Sequence, residues 1–198
     1  MNARRLAWSA SMAWLAASAL PVFAAPFNAL LERQDVRFEV TCPNEGSLNP
    51  LTIRPQGLAI VNAPITVEAD GHVTGARIAD LDGNGHPEVY VFTASVGSGS
   101  YGAVVGYASN QGKSLSAIFL PPIDEDKPAS AGYRGHDTFE VTANRLVRRF
   151  PVYREGDANA RPTSGKVREV HYQLAKGEAG WVLRRTSLVT LSAPIPIP

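Results

Sequence analysis

The chain has little sulfur, little excess charge and no apolar run long enough for a convincing membrane span. Cys42 is its single cysteine, so no disulfide can close within the chain. Burial is the commonest fate of such a thiol, and a link between two chains or ligation of a metal are the alternatives. The formal net charge of +1 is close to neutral, so the composition gives no electrostatic sign of a polyanionic partner. We therefore expect neither nucleic acid nor a membrane as a partner.

The first residues are typical of a secretory signal. Arg4 and Arg5 precede an apolar stretch over residues 6–20, and small residues at Val22 and Ala24 suit a cleavage site. We predict a signal peptide over residues 1–24 and one domain over residues 25–198, located in the periplasm. A chain of that length is sufficient for a hydrophobic core without a disulfide framework.

Short β-type runs separated by turn residues dominate the rest of the chain. Several alternate between apolar and polar residues, and no alternation of strands with helices is visible. The prediction is one all-β domain of antiparallel strands in a β-sandwich. Only Ala29–Arg33 is predicted as a short helical turn. The predicted strands are Val36–Thr41, Leu51–Arg54, Ile65–Glu68, His72–Ile78, Pro87–Ala94, Ala103–Ala108, Leu115–Leu120, Thr138–Thr142, Arg145–Tyr153, Val167–Leu174 and Trp181–Leu191.

Turn chemistry predicts how these strands are joined. Residues 143–145 and 176–180 are short and polar or glycine-rich, which predicts hairpins. Residues 121–132 and 157–166 are rich in proline, glycine and small polar residues, which predicts longer exposed loops.

An acidic turn precedes one of the predicted strands. Asp80, Asp82, Asn84 and Glu88 offer oxygen ligands at a spacing that suits calcium. The turn is not an EF-hand, because the twelfth position is Val91 and no helix flanks it. The alternative is an Asx-type turn closed by its own hydrogen bonds, which needs no metal.

The next turn is built from small residues. Ser98, Gly99, Ser100 and Tyr101 form a loop that predicts a thin projection carrying hydroxyl groups and one aromatic ring. A nucleophile elbow would need a glycine at Ser98 and a following helix, and the chain continues as a strand instead. A phosphate-binding loop is disfavoured for the same reason. An ordinary hairpin loop remains the alternative to a projection that enters a partner.

A second dense cluster comprises five consecutive residues. Neighbouring residues on a strand point to opposite faces, so His136 is a poor match for a base oriented by Asp137. We expect these two side chains to anchor a loop while Tyr133 and Arg134 present a binding surface. The other histidines share no metal-ligand spacing. The cluster is Tyr133, Arg134, Gly135, His136 and Asp137.

Together these two motifs resemble the periplasmic inhibitors of invertebrate-type lysozymes, exported bacterial proteins that protect the cell wall from host lysozyme. The likeness extends over most of the predicted mature chain, including Leu146–Tyr153 and Gly177–Arg184. The resemblance implies an antiparallel β-sandwich that is often dimeric. It also implies that the Ser98–Tyr101 loop enters the lysozyme cleft. The implied second contact region is Tyr133, Arg134, Gly135, His136 and Asp137.

Three function classes follow. The leading hypothesis is a lysozyme inhibitor that forms a homodimer, requires no cofactor and is not an enzyme. A calcium-stabilised adhesin or carbohydrate-binding module is second, although aromatic residues make up only 8% of the chain. A secreted hydrolase is third, because no base for a serine nucleophile can be identified.

Overall fold

The computed structural model describes residues 24–142, 144–159 and 161–192, and within them the chain forms twelve strands and two short helical turns. The predicted signal peptide lies outside the described residues apart from Ala24. No helix in the described part of the chain is both long enough and apolar enough to cross a membrane.

The strands follow the predicted runs closely, and most differ by one to three residues at their ends. The hairpin predicted at residues 176–180 is present, with Gly177 N–H donating to the Gly180 carbonyl at 2.6 Å. The elements are β1 Phe27–Arg33, β2 Val36–Cys42, β3 Leu48–Gln56, β4 Ile65–Asp70, β5 His72–Ala79, β6 Glu88–Ala94, β7 Gly102–Ser109, β8 Leu115–Phe119, a 3-10 turn Ile123–Glu125, α1 Lys127–Ser130, β9 Thr138–Val141, β10 Leu146–Pro151, β11 Lys166–Lys176 and β12 Trp181–Ser192.

Two sheets pack together, which confirms the all-β prediction. The first sheet has the order β1-β2-β3-β4, and the second has the order β5-β6-β7-β8-β12-β11-β10-β9. Strand β6 is buried on both faces, because Val89 and Val91 pack toward the first sheet while Tyr90 and Phe92 join the core of the larger sheet. A strand with no solvent face explains its continuous apolar sequence.

Three local expectations need correction. Residues Ala29–Arg33 belong to strand β1, where exposed and half-buried side chains alternate, and not to a helical turn. The segment 121–132 is not an irregular loop throughout, since it contains the 3-10 turn and α1. Cys42 is 3% exposed within β2, so the alternative of a disulfide between two chains is incompatible with this fold.

The pairing of β8 with β12 is the one parallel contact among the described strands. It joins only two residue pairs, Trp181 with Ile118 and Val182 with Phe119. The remaining strand pairs are antiparallel, as the hairpin spacing predicts. The larger sheet is thus two antiparallel halves that meet along a short parallel seam.

Candidate functional site

The loop from Ser95 to Tyr101 joins β6 to β7 and is closed at its base by two hydrogen bonds. Ser95 N–H donates to the Tyr101 carbonyl, and Tyr101 N–H donates to the Ser95 Oγ, both at 2.9 Å. Beyond that base, Ser98 is exposed and the Tyr101 residue retains 51% of its accessible surface. The loop therefore presents a hydroxyl and an aromatic ring to solvent.

The segment Tyr133–Asp137 packs beneath this loop and supports it. Gly99 is buried, and its carbonyl accepts a hydrogen bond from His136 N–H at 2.7 Å. Gly135 has φ +86°, and a Cβ at that position would overlap the Gly99 carbonyl oxygen. Only glycine allows this close approach of two backbones. The two motifs that suggested a common function are therefore in direct contact.

The side chain of Asp137 is the anchor of the arrangement. It is completely buried and accepts three hydrogen bonds: from Gly102 N–H at 2.8 Å, from the Tyr133 hydroxyl at 2.6 Å and from Arg148 Nε at 2.6 Å. The first of these bonds fixes the end of the projecting loop. Three donors compensate the buried carboxyl group for the water that it has lost.

Arg148 is the cation that balances Asp137. Its guanidinium carbon lies 5.0 Å from the ring centroid of Tyr133, 5.5 Å from Phe139 and 5.9 Å from Phe150. Burial disfavours the charged guanidinium, but the hydrogen bond and charge of Asp137 outweigh this effect and raise the pKa of Arg148. The charge is thus fixed in a cage of aromatic rings.

Tyr133 connects this buried pair to the exposed ring. Its ring makes an edge-to-face contact with Tyr101, with centroids 5.8 Å apart. Burial raises the pKa of the Tyr133 hydroxyl, although the charge of Arg148 opposes the shift. The position of Tyr101 is therefore set by a neutral phenol that is itself held by Asp137 and Arg148.

Arg134 and His136 turn toward a third segment. Arg134 Nη1 donates to the Asp157 carbonyl at 2.5 Å, and its guanidinium carbon lies 5.5 Å from the Tyr153 ring centroid. The His136 ring nitrogen Nε2 lies 3.1 Å from the Asn159 carbonyl. These two side chains tie the loop after β10 to the site.

That third segment reaches the projecting loop through Asn159. The Asn159 side-chain Nδ2 donates to the Ser98 Oγ at 3.4 Å. The Asn159 backbone carbonyl accepts a hydrogen bond from the Tyr153 hydroxyl at 2.6 Å. The segment is shaped by Asp157, whose carboxylate accepts hydrogen bonds from Thr163 and Arg154. The hydrogen bond from the Thr163 hydroxyl is the main reason that the pKa of Asp157 is lowered to about 2.

The predicted residues thus divide into two roles. Ser98 and Tyr101 are exposed, whereas Tyr133, Gly135 and Asp137 support them from below. We expected Tyr133 to form part of a binding surface. That expectation is wrong for its hydroxyl, which points inward and hydrogen-bonds to Asp137 and Arg148. Asp137 and His136 do anchor the loop, as expected.

Sequence reasoning missed two participants, Arg148 and Asn159. Arg148 is adjacent to Arg149, and strand alternation requires that two consecutive arginines face opposite sides. One of them therefore had to be buried, and the buried one needs a partner. Asn159 had no such signal, because its role depends on the path of a long loop.

The acidic turn lies at the other end of the β6–β7 hairpin. Carboxylate oxygens of Asp80, Asp82 and Glu88 all lie within 4.8 Å of one another. Asn84 is oriented differently: its Nδ2 donates to Asp82 Oδ2 at 2.7 Å, and its Oδ1 accepts His86 N–H at 2.7 Å. Three of the four predicted calcium ligands converge, and the fourth closes the turn.

Glu88 is the buried member of this group, with 1% of its surface exposed. Its Oε2 accepts Leu81 N–H at 2.7 Å. Burial, with further contributions from the charges of Asp82 and Asp80, raises the pKa of Glu88 to about 8. Burial likewise raises the pKa of Asp82. A calcium ion at this cluster would require Glu88 to lose its proton, and it would gain Asn84 as a ligand only if that side chain rotated its amide.

Comparison with protein-family models, with curated proteins and with solved structures returned no match to this chain. The resemblance to the lysozyme inhibitors therefore depends on the two sequence motifs. Their contact in the fold is a separate observation, which any functional hypothesis must explain.

Proposed function

We propose that this chain is a periplasmic inhibitor of invertebrate-type lysozyme, that it is not an enzyme and that it needs no cofactor for this role. In this proposal the Ser98–Tyr101 loop enters the active-site cleft of the lysozyme. The observation that carries the proposal is the bracing of an exposed hydroxyl and an exposed ring by the second motif, through Gly99, Gly135 and Asp137.

A braced loop suits a binding role. Association costs about 0.5–1.5 kcal/mol for each flexible side chain that it immobilises. The Tyr101 ring is already supported by Tyr133, and the loop base is closed by Ser95. Less ordering therefore remains to be done when a partner binds, so more of the contact energy contributes to affinity.

The chemistry of the loop also suits a lysozyme cleft. Lysozymes cleave glycans with a pair of carboxyl groups, one protonated and one ionised. A serine hydroxyl can donate to the ionised group and accept from the protonated one, which lysine and aspartate side chains cannot both do. In the proposed complex, Ser98 binds the carboxyl pair and Tyr101 packs where a sugar ring would lie. Arg134 and His136 contribute the flanking contacts.

The test is to titrate Ser98→Ala, Tyr101→Ala and the double variant against an invertebrate-type lysozyme in a cell-wall lysis assay. Loss of a hydrogen bond to a carboxylate should weaken inhibition by about 1.5–3 kcal/mol for Ser98. Loss of an aromatic hot spot should cost at least about 2 kcal/mol for Tyr101.

Matched controls are available elsewhere on the surface. Ser47 is exposed, and Phe119 is 57% exposed, close to the value for Tyr101. Ser47→Ala and Phe119→Ala should inhibit like the wild type. A folded double variant at positions 98 and 101 that also inhibits like the wild type would refute the proposal.

The proposal includes a homodimer, which the resemblance implies. Because Cys42 is buried, the association must be non-covalent. Light scattering at micromolar concentration should give twice the chain mass with and without reductant. A monomer mass would remove the dimer from the proposal and leave the loop mechanism to its own test.

A further inference from the structure

A cleft of about 680 Å³ opens at the end of the larger sheet that is remote from Ser98. It lies beyond the opposite ends of β6 and β7, about 20 Å along those strands from the projecting loop. Its volume is within the range of small-molecule sites. The lysozyme-binding proposal makes no use of it.

The cleft exists because of the parallel seam. Strand β8 begins at Leu115, but β12 pairs with it only from Ile118 onward. Residues Gly177–Gly180, which precede Trp181, form the tight turn that joins β11 to β12. The first residues of β8 are therefore left without a neighbour on that side, and a gap opens between the β7–β8 turn and the β11–β12 turn.

Trp181 forms one wall of the cleft and is held in place. Its Nε1 lies 3.3 Å from Asn110 Oδ1, and Asn110 Nδ2 donates to the hydroxyls of Ser114 and Ser116 at 3.1 Å and 2.8 Å. Lys176 Nζ lies 5.8 Å from the Trp181 ring centroid. The indole is thus held by Asn110, and a ligand with a flat apolar face would stack on it by displacing the Lys176 side chain from the ring.

The opposite side of the cleft is polar. Asp82, Asn84 and His86 come from the acidic turn, and Gln111 comes from the β7–β8 turn. The His86 ring is seated close to Gly112, where a Cβ would lie 3.3 Å from Nδ1. Carboxamide, hydroxyl and carboxylate groups together offer both donors and acceptors at short range.

The balance of charge narrows the ligand class. Asp82 and Lys176 bring one charge of each sign to the lining, so the lining has no excess positive charge that would favour an anion such as phosphate. An apolar ligand would remove water from polar lining groups such as Gln111 and Asp82 without replacing the hydrogen bonds of that water. A sugar matches both sides, because its C–H face can stack on an indole ring and its hydroxyls can bind amides.

We propose that this cleft binds a neutral oligosaccharide, with one sugar ring stacked on Trp181. The site is distinct from the Ser98 loop and uses none of its residues. It also differs from a binding module with a row of aromatic residues, because a single tryptophan supplies the stacking surface.

The experiment is calorimetric titration of the exported protein with chitotriose, cellotriose and maltotriose. At least one should bind with a Kd of about 1 mM or below. Predicted cleavage removes Trp8 and Trp14, so the change in tryptophan fluorescence on binding would come from Trp181. Failure of all three sugars to bind at about 10 mM would overturn the proposal.

Variants locate the site. Trp181→Ala should weaken binding at least about tenfold, and Gln111→Ala and His86→Ala, at exposed and half-exposed positions, should weaken it severalfold without disturbing the core. Phe119→Ala lies outside the cleft and should bind normally. Unchanged affinity in folded Gln111→Ala and His86→Ala proteins, or in Trp181→Ala, would overturn the assignment. Lysozyme inhibition by Trp181→Ala should equal that of the wild type, which separates this test from the first proposal.

Discussion

The two ends of the β6–β7 hairpin are held in opposite ways. The Ser98 loop is held by distant parts of the chain, such as Asp137, which lies 35 residues from its partner Gly102. The acidic turn holds itself, since Asp80 and Asp82 accept hydrogen bonds from residues two to five positions away. The first end owes its shape to tertiary structure, and the second owes its shape to local sequence.

This difference governs how each end responds to mutation. A self-contained turn loses only its own bonds when one of its residues changes. A loop that depends on a buried ion pair and a glycine-to-glycine contact shares its support with the core. We therefore expect substitutions that affect the loop to range more widely in their effect on stability than substitutions in the acidic turn.

The largest expected effect of a substitution is for Asp137→Asn, which removes the charge that balances buried Arg148. Leaving one member of a buried ion pair without its partner should lower the free energy of unfolding by about 3–5 kcal/mol. Urea denaturation of the variant and the wild type measures this change in the free energy of unfolding. The control is Glu140→Gln, which affects the exposed partner of Arg149 and should cost less than about 1 kcal/mol. Equal losses in the two variants would show that the buried pair contributes no special support.

The second prediction separates affinity from stability. In Gly99→Ala the new Cβ would overlap the half-exposed Tyr101 ring, which can swing outward. Inhibition should weaken at least about tenfold, while the free energy of unfolding changes little. In Gly83→Ala the Cβ meets no atom within 4 Å, but φ is +71°, so stability should fall by about 1–2 kcal/mol. Gly83→Ala should inhibit lysozyme normally. Normal inhibition by Gly99→Ala together with weakened inhibition by Gly83→Ala would contradict the proposed difference between the two ends of the hairpin.

The third prediction concerns the pH dependence of the acidic turn, measured in chelator. The pKa of Glu88 is about 8 in the folded protein and near 4.5 when unfolded. Between these values the folded state binds the additional proton, so stability falls as pH rises, by up to about 1.4 kcal/mol per pH unit. In Glu88→Gln the decline of stability with rising pH should be smaller. The glutamine side-chain carbonyl can still accept the hydrogen bond from Leu81 N–H. Parallel pH profiles for the variant and the wild type would exclude Glu88 as the cause.

The smallest expected effect tests calcium at the same turn. If calcium binds only the folded state, a concentration ten times its Kd stabilises by about 1.4 kcal/mol. Asp82→Ala should then lower the melting temperature in calcium but change it less in chelator. Identical melting of the wild type in calcium and in chelator would make the turn a hydrogen-bonded structure without a metal.

The sequence allowed the parts that depend on local pattern to be predicted. Alternation in residues such as Phe139–Thr142 and Val167–Leu174 identified strands, and the spacing of Asp80 and Asp82 identified a turn. The β1 strand was missed because its exposed Leu30 and half-buried Leu31 obscure the alternation. The parallel seam and the role of Asn159 were not predictable, because both depend on which distant segments meet.

The burial of Cys42 has a consequence for chemical damage. Both methionines, Met1 and Met12, precede the described residues, so the thiol of Cys42 is the one sulfur atom in the described part of the chain. At 3% exposure it is shielded from peroxide and hypochlorous acid, which oxidise accessible thiols and thioethers. The folded domain therefore offers oxidants no readily accessible sulfur. Reaction of Cys42 with a thiol reagent would instead report how often the four-stranded sheet opens.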